Sequence, residues 1–332
     1  MNIRDRREIK NCASGRLENA RGLSKILLIY SGLALGLSAL GTVASYVLGQ
    51  QINQLSGLSS FSTRTMLSTM QSMIPFALSL FTMCLETGFL AVMLRVARGQ
   101  YVSEQTLRLG FDRFWQLLRC SLFMGFRYMA TLFLSVYFGI MLFMMLPVSE
   151  PAVAVLAPYL EEASILSGEI LMDDASYAQF AQAVWPAYVI CGVIFAAAAV
   201  PMWYSYRMTS YIIIDKPGMG ALMVMRESKQ MMRKNRISLL KLDLSFWWYY
   251  LVLLAAQAVC YGDVILPMLG IPLPGNDDVW YFVFMAVYLA ILFAAYYFLR
   301  SRMEVSYALA YDALKPEEKK DSGVVLGNIF QM

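Results

Sequence analysis

Six long apolar segments restrict this chain to one kind of fold. They cover residues 26–48, 73–96, 120–146, 184–206, 244–264 and 279–299. A helix needs about 20 apolar residues to cross the roughly 30 Å hydrocarbon core of a bilayer, and each segment has about that length. The segments lack the short alternating pattern of a transmembrane barrel, so only helices can satisfy their backbone hydrogen bonds in lipid. We therefore predict an all-α, polytopic membrane helical bundle with six transmembrane helices.

The composition agrees with a lipid environment. Hydrophobic residues make up 59% of the chain and charged residues 15%, against about 45–50% and about 25% in soluble domains. Residues 1–25 contain seven Lys and Arg residues, which makes them long and heavily charged for the n-region of a signal peptide. We expect a cytoplasmic N-terminal segment (1–25), a membrane domain (26–314) and a flexible cytoplasmic tail (315–332).

The connecting segments alternate in charge, which predicts the orientation. The two termini and the connections after the second and fourth spans are rich in Lys and Arg, whereas the first outer connection has only Arg64. The loop 147–182 has no basic residue. Its acidic residues are Glu150, Glu161, Glu162, Glu169, Asp173 and Asp174. Basic loops stay in the cytoplasm, so both termini are predicted inside and loop 147–182 outside.

The cytoplasmic connection after the fourth span has a helical periodicity. A turn at Asp215–Gly218 precedes residues 218–236, which are predicted to form an amphipathic helix along the inner membrane surface. Small and apolar residues recur on one face, and basic residues recur on another: Arg226, Lys229, Arg233 and Arg236. This basic face suits anionic lipid headgroups or a protein partner. The same pattern is also typical of a solvated charge run that only sets topology.

The order of residues in this region resembles a known family. The matching pieces are Tyr204-Ser205-Tyr206, Met208, Asp215, Pro217, Glu227-Ser228-Lys229, Met231-Met232, Lys234-Asn235-Arg236, Leu242, Leu244-Ser245-Phe246 and Trp248. Together with the closing Ala308–Leu314, they are similar to the bacterial integral membrane family called domain of unknown function 975. The resemblance implies a bacterial, Gram-positive plasma membrane. It implies no established activity, so no functional residues are carried over.

Two charged residues lie inside predicted spans. Glu86 in the second span and Arg127 in the third are both predicted roughly 10–14 Å below the inner interface. Charges at such depth cost several kcal/mol unless they are paired. We predict an intramembrane ion pair that fixes helix register, with a substrate or ion pathway and the absence of any contact as alternatives. Pro201 is predicted to kink the fourth span because it removes a backbone donor.

Several functional classes lack the residues that they require. The chain has no histidine, which excludes HExxH metalloproteases and Ser-His hydrolases. It also has no GxxxxGK[ST] phosphate loop, and its five cysteines form no CxxC pair. We therefore expect no enzymatic activity, no cofactor, no metal and no nucleic-acid partner.

Two functions from different classes remain. The first is a non-catalytic membrane scaffold or accessory protein that acts through helix packing and the basic cytoplasmic helix. Clear topology signals without a catalytic set of residues favour it. The alternative is a small transporter or an export permease subunit that uses Glu86 and Arg127. Charges within the membrane and the Pro201 kink favour this second function.

Overall fold

A computed structural model describes residues 6–54, 61–155, 157, 174–262, 265–266, 270 and 277–315, and no strand occurs in these ranges. The helices are α1 (Arg6–Glu18), α2 (Leu23–Gln54), α3 (Phe61–Ala97), α4 (Gln105–Asp112), α5 (Phe114–Met145), α6 (Asp174–Tyr206), α7 (Thr209–Asp215), α8 (Ala221–Met232), α9 (Arg236–Leu244), α10 (Trp247–Cys260), α11 (Asp277–Ala294) and α12 (Ser301–Leu314). A π-helix, Ala295–Arg300, joins α11 to α12. Residues 156 and 158–173 of the loop predicted at 147–182, and residues 316–332 of the tail, lie outside the described residues.

Five of the described helical segments are long and apolar enough to cross a membrane. They are Leu23–Ile52, Ser62–Ala97, Phe114–Met145, Ala178–Asp215 and Val279–Leu314. A sixth is obtained if α9 and α10, which meet at 62°, are counted as one broken span. The prediction of an all-α chain with several membrane-length helices is confirmed. The segment predicted at 244–264 differs in detail, because its helix begins after a sharp bend.

The N-terminal helix holds this bend between α9 and α10. Lys10 Nζ donates a hydrogen bond of 2.7 Å to the carbonyl of Ser245 and lies 4.4 Å from the ring centroid of Phe246. Arg6 donates to the carbonyl of Lys241 at 3.4 Å. The last carbonyls of a helix have no intrahelical donor, so α1 supplies donors to those that the bend exposes.

The chain divides into two compact units, residues 119–207 and the remainder. In the unit 119–207, α5 and α6 approach closely at Gly139, where an added Cβ would overlap Cys191. Phe143, Ala152 and Ala187 form a small buried cluster there. The helix α6 continues through Pro201, and the kink predicted at this residue stays a prediction.

The most enclosed helix of the other unit is α12. All of its residues from Ser301 to Tyr311 are buried except Arg302. It contacts α1 and α3, and Tyr311 stacks on Tyr211 of α7 with ring centroids 5.4 Å apart. A helix buried on every side lies within protein rather than at a surface. We call α1, α4, α7, α8, α12 and the buried ends of α2 and α3 the packed layer.

The surroundings of α3 change about two thirds of the way along the helix. It has 37 residues and is therefore about 55 Å long, far more than a bilayer requires. From residue 62 to 83 no side chain is fully buried, whereas between Cys84 and Ala97 only Glu86, Leu90 and Arg95 are not. In α2, similarly, the buried positions end at Ala34. Each helix thus has one part inside the packed layer and one part with exposed apolar surface.

Two glycines allow α4 to lie directly on α3. A Cβ added at Gly110 would overlap the carbonyl of Cys84, and one added at Gly88 would overlap the carbonyl of Leu107. Because the obstacle is backbone in both cases, no rotamer change can relieve it. Only glycine permits this approach.

The region predicted as one amphipathic helix, 218–236, is α8 followed by the start of α9. The residues predicted to share its apolar face, Ala221, Met225, Ser228 and Met232, are buried. The helix contacts α7, so this face packs against protein. A position of this helix along the inner membrane surface stays a prediction.

Candidate functional site

A cluster of charged and aromatic side chains surrounds Arg300, the last residue of the π-helix. We call it the Arg300 cluster, and its members are Tyr30, Glu86, Phe89, Tyr296, Arg300 and Glu304. The side chain of Arg300 is only 12% exposed. π-Helical turns are rare and are frequent at functional sites, which makes this cluster the first candidate.

Two carboxylates neutralise the Arg300 guanidinium. Nη2 lies 3.1 Å from Oε1 of Glu86, and Nε lies 3.9 Å from Oε1 of Glu304, one helical turn further on. The Glu304 side chain is buried, and its Oε2 accepts a hydrogen bond of 3.2 Å from the hydroxyl of Tyr211. Glu86 differs, because 51% of its side chain is exposed. The cluster therefore joins one enclosed carboxylate and one accessible carboxylate through a single cation.

Three aromatic rings enclose the same guanidinium. Its central carbon lies 5.0 Å from the ring centroid of Tyr296 and 5.5 Å from those of Tyr30 and Phe89. These distances fall within the range of cation–π attraction. Tyr30 and Phe89 stack with centroids 4.1 Å apart, so α2, α3 and the π-helix meet at this cation. The buried Tyr30 hydroxyl has no hydrogen-bond partner among the described residues.

Glu86 and Arg127, the two charged residues identified within predicted spans, have other partners in the structure. Glu86 pairs with Arg300. Arg127 donates a hydrogen bond to the hydroxyl of Tyr206 within the unit 119–207. A direct pair between Glu86 and Arg127 would join the two units, and it stays a prediction. Sequence reasoning missed Arg300 because it lies just beyond a predicted span, although Glu304 one turn later was a signal.

The basic residues predicted on the helix 218–236 are not equivalent. Arg226, Lys229 and Arg233 are exposed. Arg236 is half-buried at the start of α9, and its Nε has no hydrogen-bond partner in the described ranges. Next to the exposed basic row, Leu222 and Met223 are 58% and 65% exposed. We call Leu222, Met223, Arg226, Lys229 and Arg233 the α8 surface.

A second charge network ties the end of α3 to α7 and α12. Arg98 donates two hydrogen bonds to Asp215, at 2.8 and 2.9 Å, and further bonds to Asp312, the shortest at 2.7 Å. The bonds to Asp215, and next those to Asp312, raise the pKa of the Arg98 guanidinium above its ordinary value. Lys315 also lies 2.7 Å from Asp215. The sequence indicated only a turn at Asp215, so this network was missed.

In both charge networks the carboxylates accept hydrogen bonds from arginines and from tyrosine hydroxyls. Within the described ranges, no group of three or more His, Cys, Asp or Glu residues is arranged to hold a metal ion. The carboxylates of both networks instead face arginines. What these residues do chemically is hold opposite charges together where helices meet.

A family model described as a protein of unknown function, DUF975, matches residues 1–316. The match includes both charge networks and the α8 surface. No curated protein and no solved structure matches the chain.

Proposed function

The chain belongs to the DUF975 family, and from this premise we propose that it is a non-catalytic scaffold or accessory protein of the bacterial plasma membrane. In this proposal it has six spans, and both termini and the packed layer are cytoplasmic. The single observation that carries the proposal is the burial of α12 from Ser301 to Tyr311, where only Arg302 is exposed. A membrane protein that builds a folded layer around its last helix presents a rigid surface to other molecules at the membrane.

The Arg300 cluster supports one position for the inner membrane boundary. Tyr30 and Glu86 both contact Arg300, so three helices share this level. Each helix extends roughly 35–38 Å from the level of the Arg300 cluster to its far end, at 1.5 Å per residue. The far ends are Gln54, Phe61 and Asp277. A bilayer has about 30 Å of hydrocarbon, or about 40–45 Å with its headgroups. We therefore place the spans of α2 and α3 further out than residues 26–48 and 73–96.

The α8 surface is the region that we propose to bind the anionic inner leaflet. Exposed apolar residues at the start of a helix, followed by a row of basic residues, are typical of interfacial helices. Each Lys or Arg near an anionic surface contributes about 1 kcal/mol. The opposite face of α8 is buried, and Lys216 pairs with Glu227 at 2.7 Å, so the helix presents this surface in a fixed orientation.

Reversing the charges of the α8 surface is expected to abolish its response to anionic lipid. We compare the wild type with the triple variant Arg226→Glu, Lys229→Glu, Arg233→Glu in nanodiscs of anionic or zwitterionic lipid. Hydrogen exchange of backbone amides 221–232 is expected to be slower in anionic than in zwitterionic lipid for the wild type. The variant is expected to show no such difference, because it loses three contacts of about 1 kcal/mol each.

The matched control exchanges the basic residues for one another: Arg226→Lys, Lys229→Arg and Arg233→Lys. It retains the charge and is expected to keep the lipid dependence. If the reversed variant keeps it as well, the α8 surface is a solvated charge run and has no place in the proposal.

A cavity in the same unit favours transport as a second candidate function. It has a volume of about 660 Å³ and lies between α2, α3 and α11. Its lining includes five Ser and Thr residues: Ser38, Thr42, Ser45, Ser79 and Thr82. Glu86 follows Thr82 by one helical turn and therefore lies on the same face of α3. The half-exposed carboxylate of Glu86 would mark the inner end of a polar path for a small cation.

Transport makes a distinct prediction for purified protein in liposomes. Wild-type protein is expected to carry a cation flux, measured with a fluorescent ion indicator, that Glu86→Gln reduces by about tenfold or more because a charged contact is lost. Glu150→Gln, which removes an exposed carboxylate elsewhere, is expected to leave the flux unchanged. Absence of wild-type flux under any imposed gradient would leave only the scaffold function.

A further inference from the structure

A cavity of about 610 Å³ lies between the end of α1 and the connection from α3 to α4. Its volume falls within the range of small-molecule sites. Residues of the α1 side, including Arg16, Asn19 and Arg21, face residues of the connection, including Gly99, Gln100 and Tyr101. The cavity is separate from both charge networks and from the α8 surface.

Two arginines in this cavity are not engaged by acids. Neither Arg16 nor Arg21 forms an ion pair among the described residues. The neighbouring cations differ, since Lys25 pairs with Glu104 at 2.6 Å and Arg95 donates to the Thr106 hydroxyl at 2.8 Å. Two free guanidinium groups in one concave site favour an anion with several acceptor oxygens, because arginine binds phosphate through paired hydrogen bonds.

Gly99 lies beside the guanidinium of Arg16. Its φ of +68° is the left-handed conformation that ends a helix, and an added Cβ would overlap Nη1 of Arg16. The amides of Gly99 and Gln100 bond to the carbonyls of Val96 and Arg95 at 2.9 Å, which closes α3. The glycine therefore both ends the helix and leaves room for the guanidinium to lie against the backbone.

The cavity lies beyond the proposed inner membrane boundary. Arg21 precedes Tyr30 by about two and a half turns, and Val96 follows Glu86 by about three turns, or roughly 14–15 Å in each case. This placement rests on the proposed topology, and it puts the cavity on the cytoplasmic side of the spans.

We propose that the cavity binds a phosphate-bearing anion through Arg16 and Arg21. The space exceeds that of phosphate alone, so a phosphorylated small molecule fits the site. Asn19 and Gln100 provide polar groups for the body of the ligand, and Tyr101, which is 81% exposed, provides a ring on which a base or sugar can pack.

The test is calorimetric titration of the full chain in zwitterionic nanodiscs with inorganic phosphate and with ADP. Saturable binding is expected, at least for ADP. The variant Arg16→Gln, Arg21→Gln is expected to bind about tenfold more weakly or worse, because two charge-assisted contacts are lost. Arg108→Gln removes an exposed arginine that does not line the cavity and is expected to bind as the wild type does.

A third measurement distinguishes a soluble anion from a lipid headgroup as the source of the phosphate group. Hydrogen exchange of residues 15–22 and 96–102 is compared in nanodiscs with and without phosphatidylglycerol. Protection by this lipid that depends on Arg16 and Arg21 would support the phosphate chemistry and assign it to a headgroup. If neither the binding of soluble anions nor the protection by lipid depends on the two arginines, the proposal is wrong. This conclusion is independent of the hydrogen-exchange result for the α8 surface.

The variant is expected to fold, because both arginines are exposed. If the double variant does not fold, Arg16→Lys and Arg21→Gln are measured singly. Arg16→Lys retains the charge and loses the paired geometry, so equal binding by both single variants and the wild type would also overturn the proposal.

Discussion

Gly110→Ala is expected to destabilise the protein severely, by about 4 kcal/mol or more, although it adds a single methyl group. The new Cβ would overlap the carbonyl of Cys84 and approach the amide of Gly88. Inserting a methylene into a packed core usually costs about 1–3 kcal/mol because side chains adjust. Here the obstacle is the backbone of α3, so α4 must move away as a whole. Thermal unfolding in detergent, with the yield of folded protein, measures the effect.

Gly36→Ala is the matched control for this substitution. Gly36 lies within α2, and a Cβ added there meets no atom within 4 Å. Alanine is a better helix former than glycine by about 1 kcal/mol, so this variant is expected to be slightly more stable than the wild type. A Gly110→Ala protein that melts like the Gly36→Ala protein would contradict the packing of α4 on α3.

Arg300→Met is expected to cost about 3–5 kcal/mol, the range found when one partner of a buried ion pair is removed. Methionine fills part of the space between the rings of Tyr30, Phe89 and Tyr296. It leaves the buried carboxylate of Glu304 without its cation, whereas the half-exposed Glu86 can be hydrated. Adding Glu304→Gln to Arg300→Met is therefore expected to recover more stability than adding Glu86→Gln.

Arg302→Met provides the comparison for this prediction. Arg302 is exposed on α12, and its loss is expected to change the unfolding free energy by less than about 0.5 kcal/mol. Equal destabilisation by the two substitutions would mean that Arg300 contributes general positive charge rather than the contacts described here.

The sequence predicted features that depend on neighbours along the chain. Hydrophobic length predicted the membrane helices, since a span is a property of about 20 consecutive residues. The motif around Asp215 and Trp248 predicted the family, which the match over residues 1–316 confirms. Helical spacing grouped Ala221 and Met225 on one face of α8, and both are buried.

The sequence did not predict which distant residues meet. Glu86 was a candidate because it is a charge within an apolar run, but its partner Arg300 lies 214 positions away. The contact of the apolar face of α8 with α7 was not predicted either, because an apolar face packs equally well on lipid or on protein. In the same way, Arg98, Asp215 and Asp312 lie at the ends of three helices, and only the folded chain brings them together.

The unbroken course of α3 has a mechanical consequence. The part of α3 with exposed apolar surface continues into the part inside the packed layer without a loop. A tilt of one part about a point near Glu86 therefore tilts the other part as well. A change in bilayer thickness that tilts the outer arm by about 10° would displace its tip by about 6 Å. The inner arm, which ends at Arg98, would swing the opposite way by about 3 Å. Any tilt of the outer part of α3 is therefore shared by the helices that pack on its inner part.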